Sequence, residues 1–502
     1  LDSIAMNLFG YKTISYDDIK VDVPPPDSVE TGLGSTFIIE ADPLSDTEEF
    51  WEEQRHEELN DNEAGVYKMT KDLKELPAFK RAMNILFLII SGYYEVGKVD
   101  IGPMYSFISF NDVEGLRNRF SLRTNRKFSK KVAFESYVAY GWKDEKVNRR
   151  LKGGLGMSYF IKRRPYHQID VEWQRDIRAP GASIRIATYD NVFVSFRRGI
   201  ADLMLYFDSY RLKWTKEWKG VAIGADLEHM RNIPAGSLKF SPVDGSSELD
   251  EVNTSDITAW IRISPHVRFY ESRVSRIPLR NRYPIIKFAY TYSIGNGFLG
   301  SDYNHHKMHA SLFKRFYLNP VGFGDMNIEA GYISGQVPFP LLFVHKGNQT
   351  FFFDPGAYNM MNLFEFVSDR YVSLSYKHNF SGFFLNKVPL LKKLKWRTTL
   401  GFRGVYGQVA ATNDPLLTMD SDRVFDFPSR TVYQTDDYQV YQTVTHTLKD
   451  KPYMEMSVGI ENILKLLSVD LVKRLTYMDN PNISQLGALK GWGIRSRFLI
   501  RF

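Results

Sequence analysis

Beyond residue 100, apolar and polar side chains alternate in short runs, and a period of two predicts β-strands with two chemically distinct faces. The pattern is cleanest at 167–175, where Ile169, Val171 and Trp173 alternate with Gln168, Asp170, Glu172 and Gln174. It recurs at 116–123, which sets Arg117, Arg119 and Arg123 on the polar side. Further runs fall at 132–142, 206–218, 221–227, 256–263, 286–292, 308–312, 327–332, 371–377, 395–403, 453–460 and 469–477. Weaker alternation at 104–110 and 151–160, with the terminal run 492–502, brings the count to about sixteen. The stretches 179–201, 231–255, 264–284, 334–369 and 407–452 are the largest of the long loops expected between them.

The terminal run carries the most information. Trp492, Ile494, Phe498, Ile500 and Phe502 share one face, interrupted by Ser496, while Gly493, Arg495, Arg497 and Arg501 share the other, with Leu499 the exception. A strand with one greasy and one basic face, ending the chain on phenylalanine, looks like the closing strand of a bacterial outer-membrane β-barrel. There the apolar face meets lipid and the arginines face a polar lumen. The fold expected is all-β: a transmembrane antiparallel β-barrel of about 16 strands, preceded by a short helical segment. A soluble propeller or double sandwich fits less well, because no internal repeat is present.

Residues 1–98 differ in kind from the rest. Pro24-Pro25-Pro26 and scattered apolar pieces make 1–40 a linker or one or two add-on strands, and the acidic stretch 46–58 around Trp51 reads as a short helix. Two further helices are predicted at 60–76 and 77–93, the second with Pro77 at its first position and apolar nearly all round. Such a helix is either a plug inside the barrel or an interfacial element, and Lys74, Lys80 and Arg81 near its start favour contact with lipid headgroups. The division expected is 1–98, a linker and helical periplasmic or plug segment, and 99–502, the barrel.

Composition narrows the classes. The 502 residues include no cysteine, which excludes disulfides and thiolate chemistry, and 36 Phe with 29 Tyr, enough for aromatic girdles at two membrane interfaces. Mean hydropathy of −0.31 is too polar for a helical membrane protein and suits a barrel, in which half of each strand is polar. The longest apolar helix-like run, 82–90, is far short of the roughly 20 residues a spanning helix needs. A net charge of +7 is modest for this length and gives no reason to expect nucleic acid as a partner. A chain that opens on Leu1 without a signal peptide reads as a mature or trimmed fragment.

Residues predicted to face the lumen are Arg117, Arg119, Arg123, Asp170, Glu172, Arg397, Arg403, Asp470, Arg474, Arg495 and Arg497. Opposite charges on neighbouring strands would pair and narrow the lumen; unpaired, they would attract anionic material. The pairing reading is the simpler one, since barrel interiors are polar in any case. His305, His306 and His309 beside Asp302 invite a metal, but His305 and His309 stand about 13 Å apart along a strand and His306 points the other way. Neither a nucleophile elbow nor a zinc motif stands out, so no cofactor, metal or catalytic residue is expected. The run 347–356, with Phe351-Phe352-Phe353, is too apolar for free exposure and is expected to be buried in the barrel mouth.

Several longer runs carry a resemblance. They include 50–55 with Val66-Tyr67-Lys68-Met69, Asp100-Ile101-Gly102-Pro103-Met104-Tyr105-Ser106-Phe107, 111–117, 123–131, HKGNQTFFFDPGAYNMMNLFEFVSDRYVSL at 345–374 and GIENILKLLSVDLVKRLTYMDNP at 459–481. Together they resemble, from about residue 50 to the end, a family of outer-membrane β-barrel proteins from Bacteroidota whose members usually carry a carboxypeptidase-regulatory-like β-sandwich ahead of the barrel. The family has no established biochemical activity. The order of a long loop, the strand at 371–377 and an aromatic final residue is more distantly similar to the BamA-like superfamily, sixteen-stranded barrels that insert or translocate proteins. The hallmark Arg-Gly-Phe or Arg-Gly-Tyr is missing from 334–369; Arg403-Gly404 falls on a strand and Arg198-Gly199 is followed by Ile200. The resemblance implies an outer-membrane barrel; the function expected for it is non-enzymatic, in envelope biogenesis or translocation, with the lumen plugged by the loop 334–369. Its partners would be membrane lipids, lipopolysaccharide among them, a leading periplasmic domain and unidentified envelope proteins. A selective uptake channel is the alternative and a membrane-embedded hydrolase a weaker one.

Overall fold

A computed structural model describes residues 38–40 and 61–498, apart from 145, 164, 181–194, 199–201, 272–275, 280, 419–420, 435–438, 481–482, 484 and 487–488. Ile500 and Phe502, and the helix expected at 46–58, lie outside the described residues.

Eighteen strand segments make one barrel sheet. They begin with β1 (Tyr94–Val96), β2 (Val99–Ile101), β3 (Ile108–Asn111), β4 (Gly115–Thr124), β5 (Val132–Gly141) and β6 (Leu151–Lys162). Next come β7 (His167–Arg178), β8 (Leu203–Trp218), β9 (Val221–Gly236), β10 (Val252–Ile263), β11 (Ile285–Ser293) and β12 (His305–Tyr317). The last are β13 (Phe323–Ser334), β14 (Arg370–Asn379), β15 (Arg397–Gln408), β16 (Tyr453–Ile463), β17 (Leu467–Arg474) and β18 (Trp492–Phe498). From β4 onward each strand pairs antiparallel with the next in sequence, as a meander. At the start, β2 and β3 pair with opposite ends of β4 and so share one position, and β1 is a three-residue arm on β2. Eighteen segments less these two leave sixteen strand positions among the described residues.

Side-chain burial is inverted relative to a soluble sheet. On β4, Leu116, Asn118 and Phe120 are exposed while Arg117, Arg119 and Ser121 are buried. On β7, Val171 and Trp173 are exposed while Gln168, Gln174 and Asp176 are buried, and β17 exposes Val469 and Leu471 while burying Asp470 and Arg474. Polar atoms inside and apolar side chains outside are what a lipid solvent demands of a barrel. No described helix is long and apolar enough to cross a membrane, which has no bearing on strands.

The meander sorts the connections by end. One end has 125–131, 163–166, 219–220, 264–284, 318–322, 380–396 and 464–466; the other has 142–150, 179–202, 237–251, 294–304, 335–369, 409–452 and 475–491. The second end, which carries most of the long loops, is packed as well as long. Phe240, Phe339, Phe364 and Phe425, from three different loops, meet with ring centroids 5.4 to 6.3 Å apart. They are joined by Leu203 and Leu205 at the start of β8.

The boundaries differ from the sequence reading in places with physical causes. Met104–Ser106, expected as the start of a strand, is a 3₁₀ turn, and the strand expected to reach 477 stops at Arg474. β8 and β9 run longer than their alternation: Leu203 to Phe207 are all buried, because the long-loop end covers both faces there and erases the period of two. The two N-terminal helices are α1 (Asp61–Glu75) and α2 (Pro77–Ser91). α2 leads into β1 at the short-turn end, and Met83 and Ile85 on it are exposed. Of residues 1–40, Ile38–Glu40 forms one added strand, parallel to Phe269–Glu271 in the 264–284 connection.

Candidate functional site

The inner wall and the long loop 335–369 form the candidate site. The loop follows β13, and its own polar side chains set its shape. Asn348 Oδ1 accepts the N–H of Thr350 at 2.9 Å and its hydroxyl at 2.8 Å, and Asp354 Oδ1 accepts the N–H of Gly356 at 2.7 Å, closing two tight turns. Asn348 Nδ2 donates to Asn359 Oδ1 at 2.8 Å, while Asn359 Nδ2 donates to the carbonyls of Asp354 and Ala357. These amides tie the outgoing and returning arms together, and Gly347 bridges Tyr358 in parallel where the arms cross. A short sheet of Phe343–Val344, Phe366–Ser368 and His446–Thr447 joins the base of this loop to the 409–452 loop.

Four strands of the wall hold the loop. Arg474 on β17 makes a two-pronged ion pair with Glu365, 2.7 and 3.0 Å, with both side chains almost fully buried. A planar guanidinium suits that bidentate geometry. Asn480 adds a hydrogen bond of 2.8 Å to the same carboxylate. Arg495 on β18 donates from Nε and Nη2 to the carbonyl of Asn359 at 3.1 and 2.9 Å. Glu455 on β16 accepts the N–H groups of Asn359 and Met360, both at 2.9 Å. Arg403 on β15 donates to the carbonyls of Asp354 at 3.0 Å and Pro355 at 2.8 Å, and to that of Ala357. Phe353, also buried, lies among three cations: Lys377, Arg403 and Arg497 stand 4.9, 5.2 and 5.4 Å from its ring centroid. Its negative ring face is worth about 0.5–2 kcal/mol to each such cation. Gly493 leaves room for this docking, since a Cβ there would lie 2.8 Å from Met360 Sδ and from Arg495 Nη1.

The remaining predicted residues fall into two other groups. Arg117 is fully buried and pairs with Asp176 at 2.7 and 2.9 Å and with Glu114 at 3.0 Å; Asp176 also accepts the Tyr137 hydroxyl. Tyr137 fits because Gly154 faces it from β6, where any Cβ would strike the ring. Arg119 bonds Ser121 Oγ at 2.9 Å and covers the same tyrosine ring, while Arg123 pairs with Asp100 at 3.3 Å and lies over Tyr93. Asp170 accepts from Ser158 Oγ and Gln168 Nε2, and Glu172 stands opposite Arg211 of β8 in the ladder. Nearer the short-turn end, Lys377 bridges Glu461 at 3.0 Å and Asp470 at 3.5 Å, Arg497 pairs with Glu461 at 3.3 Å, and Arg397 stands opposite Glu461 in register. On the last strand Ile494 and Phe498 are exposed, and Trp492, half-buried, lies under Lys473 Nζ.

Glu365, Asn359, Glu455, Lys377 and Glu461 are not among the residues predicted from the sequence. Glu455 alternates with the apolar positions of its strand and was open to the same argument as Asp470; Glu365 and Asn359 lie in a loop, where no period exists. The three phenylalanines do not behave alike: Phe353 is buried and Phe352 half-buried, but Phe351 is 51% exposed. Burial pushes the His345 imidazole down to about 4, and its Nε2 lies 2.9 Å from Ser368 Oγ. His306 stacks on Tyr290 and Tyr292, and His309 is 3.9 Å from Glu329. Among the described residues no cluster of three or more His, Asp or Glu could hold a metal.

Three solved structures are similar in part. BamA from Haemophilus ducreyi lacking POTRA domains 1-3 is 8% identical with a TM-score of 0.44, over 81% of this chain and 71% of that one. CdiB from Acinetobacter baumannii is 9% identical with a TM-score of 0.37, over 78% of this chain and 58% of its own. A ferric enterobactin receptor from Pseudomonas aeruginosa, PfeA, solved with enterobactin, is 10% identical with a TM-score of 0.30, over 74% and 62%. No curated protein sequence matches. Residues 89–411 match the model described as "Family of unknown function (DUF5686) C-terminal domain", and the chain belongs to that family.

Proposed function

We propose that the protein is a bacterial outer-membrane barrel with a non-enzymatic role in envelope biogenesis or translocation, and that its lumen is plugged by the loop 335–369. The observation that carries the plug is the set of bonds from β15, β16, β17 and β18 to Glu365, Asn359, Met360 and the 354–357 turn. A loop that only covered a pore mouth would not need a fully buried bidentate ion pair at its base. The paired inner-wall charges support the same reading, because a conducting pore for anions would present its arginines to water. Membrane lipids contact the outer face in this account, and a leading periplasmic domain would join through α1 and α2 at the short-turn end.

The role is tested in cells of the source bacterium. Depleting the protein and quantifying outer-membrane proteins and lipopolysaccharide separates the readings. A changed outer-membrane composition with normal uptake of small solutes is expected. Unchanged composition with impaired solute entry would support the uptake channel instead.

A further inference from the structure

Ser496 sits in the middle of β18, and its two backbone groups point away from β17. Both are taken by the long loop. Its N–H donates to the carbonyl of Phe351 at 3.1 Å, and its carbonyl accepts the N–H of Phe353 at 2.7 Å. Phe352 thereby pairs in parallel with Ser496, as one residue of an added strand would. The side chains follow suit: Phe352 stacks on the outward Phe498, centroids 6.3 Å apart, while Phe353 turns inward to the three cations. One step further on, the N–H of Arg198 donates to the carbonyl of Gln349 at 2.7 Å, and Arg197 bridges Thr350 antiparallel. Ser195 Oγ then accepts the N–H of Phe110 on β3 at 2.8 Å. Between the last strand and the first, these hydrogen bonds run through two loop segments, 349–353 and 195–198.

An unpaired strand edge in a bilayer is costly, and an edge that pairs with a loop is one that another extended chain can use. We propose that the β18 edge at Ser496 is a strand-acceptor site, occupied in cis by Phe351–Phe353, and that an extended peptide of matching chemistry displaces the tripeptide and pairs there. The ligand class is set by the occupant: an aromatic residue at the outward position and a free N–H one residue later. This goes beyond plugging, which concerns the lumen and not the strand edge.

The test uses the full chain in lipid nanodiscs and a fluorescein-labelled synthetic peptide with the sequence of residues 347–356. Replacing 350–354 by a Gly-Ser linker should tighten peptide binding, read by anisotropy, at least tenfold over the unmodified chain. A peptide N-methylated at the residue matching Phe353, and so lacking that donor, should bind at least tenfold more weakly. Equal binding of the two peptides, or no gain on linker replacement, would overturn the proposal. Folding of the linker variant is checked by heat-dependent gel migration. If it does not fold, the cysteine-free background permits Phe352→Cys with Ser496→Cys. Binding should then be present reduced and abolished by the disulfide; equal binding in both states would overturn the proposal. A closed pore that binds no peptide removes this inference and leaves the plug standing, whereas a conducting pore that binds peptide does the reverse.

Discussion

Arg474 and Glu365 show how one ion pair can govern a loop of this length. Both are removed from water, so losing one partner strands the other, at a cost of about 3–5 kcal/mol. Glu365→Ala is therefore expected to free the loop from β17 while leaving the strands paired, and tryptic cleavage after the exposed Lys346 should rise well above that of the parent. Arg474→Met with Glu365→Leu, which removes both charges, should restore much of the protection. His345 adds a pH dependence with a definite sign. Its folded pKa, about 4, lies below the ordinary value of 6.5, so the unfolded loop binds more protons between these values. The loop is expected to be fully protected above about pH 6.5 and to lose protection as pH falls toward 4. Hydrogen exchange of 343–368 at pH 7 and pH 5 checks this, and His345→Gln should flatten the difference. Parity alone groups the inner-wall arginines on one face of their strands, but it does not give their partners. Arg495 meets Asn359 and Arg474 meets Glu365 across more than a hundred residues of chain, and no local spacing encodes such pairs.

At the level of elements, the strands were legible because lipid outside and polar atoms inside impose a period of two. The alternation failed where that environment ends, as at Leu203 to Phe207, where packed loops bury both faces. The outer face predicts an asymmetry under mutation. Leu155→Arg on β6, which places a charge on the exposed outer face, should cost up to about 2–4 kcal/mol. Urea unfolding in bilayers should show that loss, and Ser158→Ala on the same strand's inner face should cost much less. Gly493→Val tests the seat of the loop on β18: the added side chain meets the ends of the Met360 and Arg495 side chains, so these two loop contacts should shift while β17 and β18 stay paired. Cleavage after Lys346 reports the shift. The use of the β18 edge by residues 351–353 was beyond the sequence, since a three-residue strand inside a turn-rich loop leaves no periodic trace.

As a whole molecule, the protein combines a lipid-facing barrel, a densely packed loop end and an inner wall whose charges are largely spoken for by other strands or by one loop. Its sixteen strand positions were anticipated from the sequence; the pairing of the inner-wall charges follows only from contacts between strands far apart in the chain. Membership of a family without a known function leaves the structure to carry the functional reading. The most direct test of that reading is single-channel conductance of the purified protein in a planar bilayer, with and without residues 335–369. A plugged lumen predicts a silent parent and a variant that conducts steadily once the loop is excised. Steady ion flow through the parent would contradict the plug and promote the uptake channel in its place.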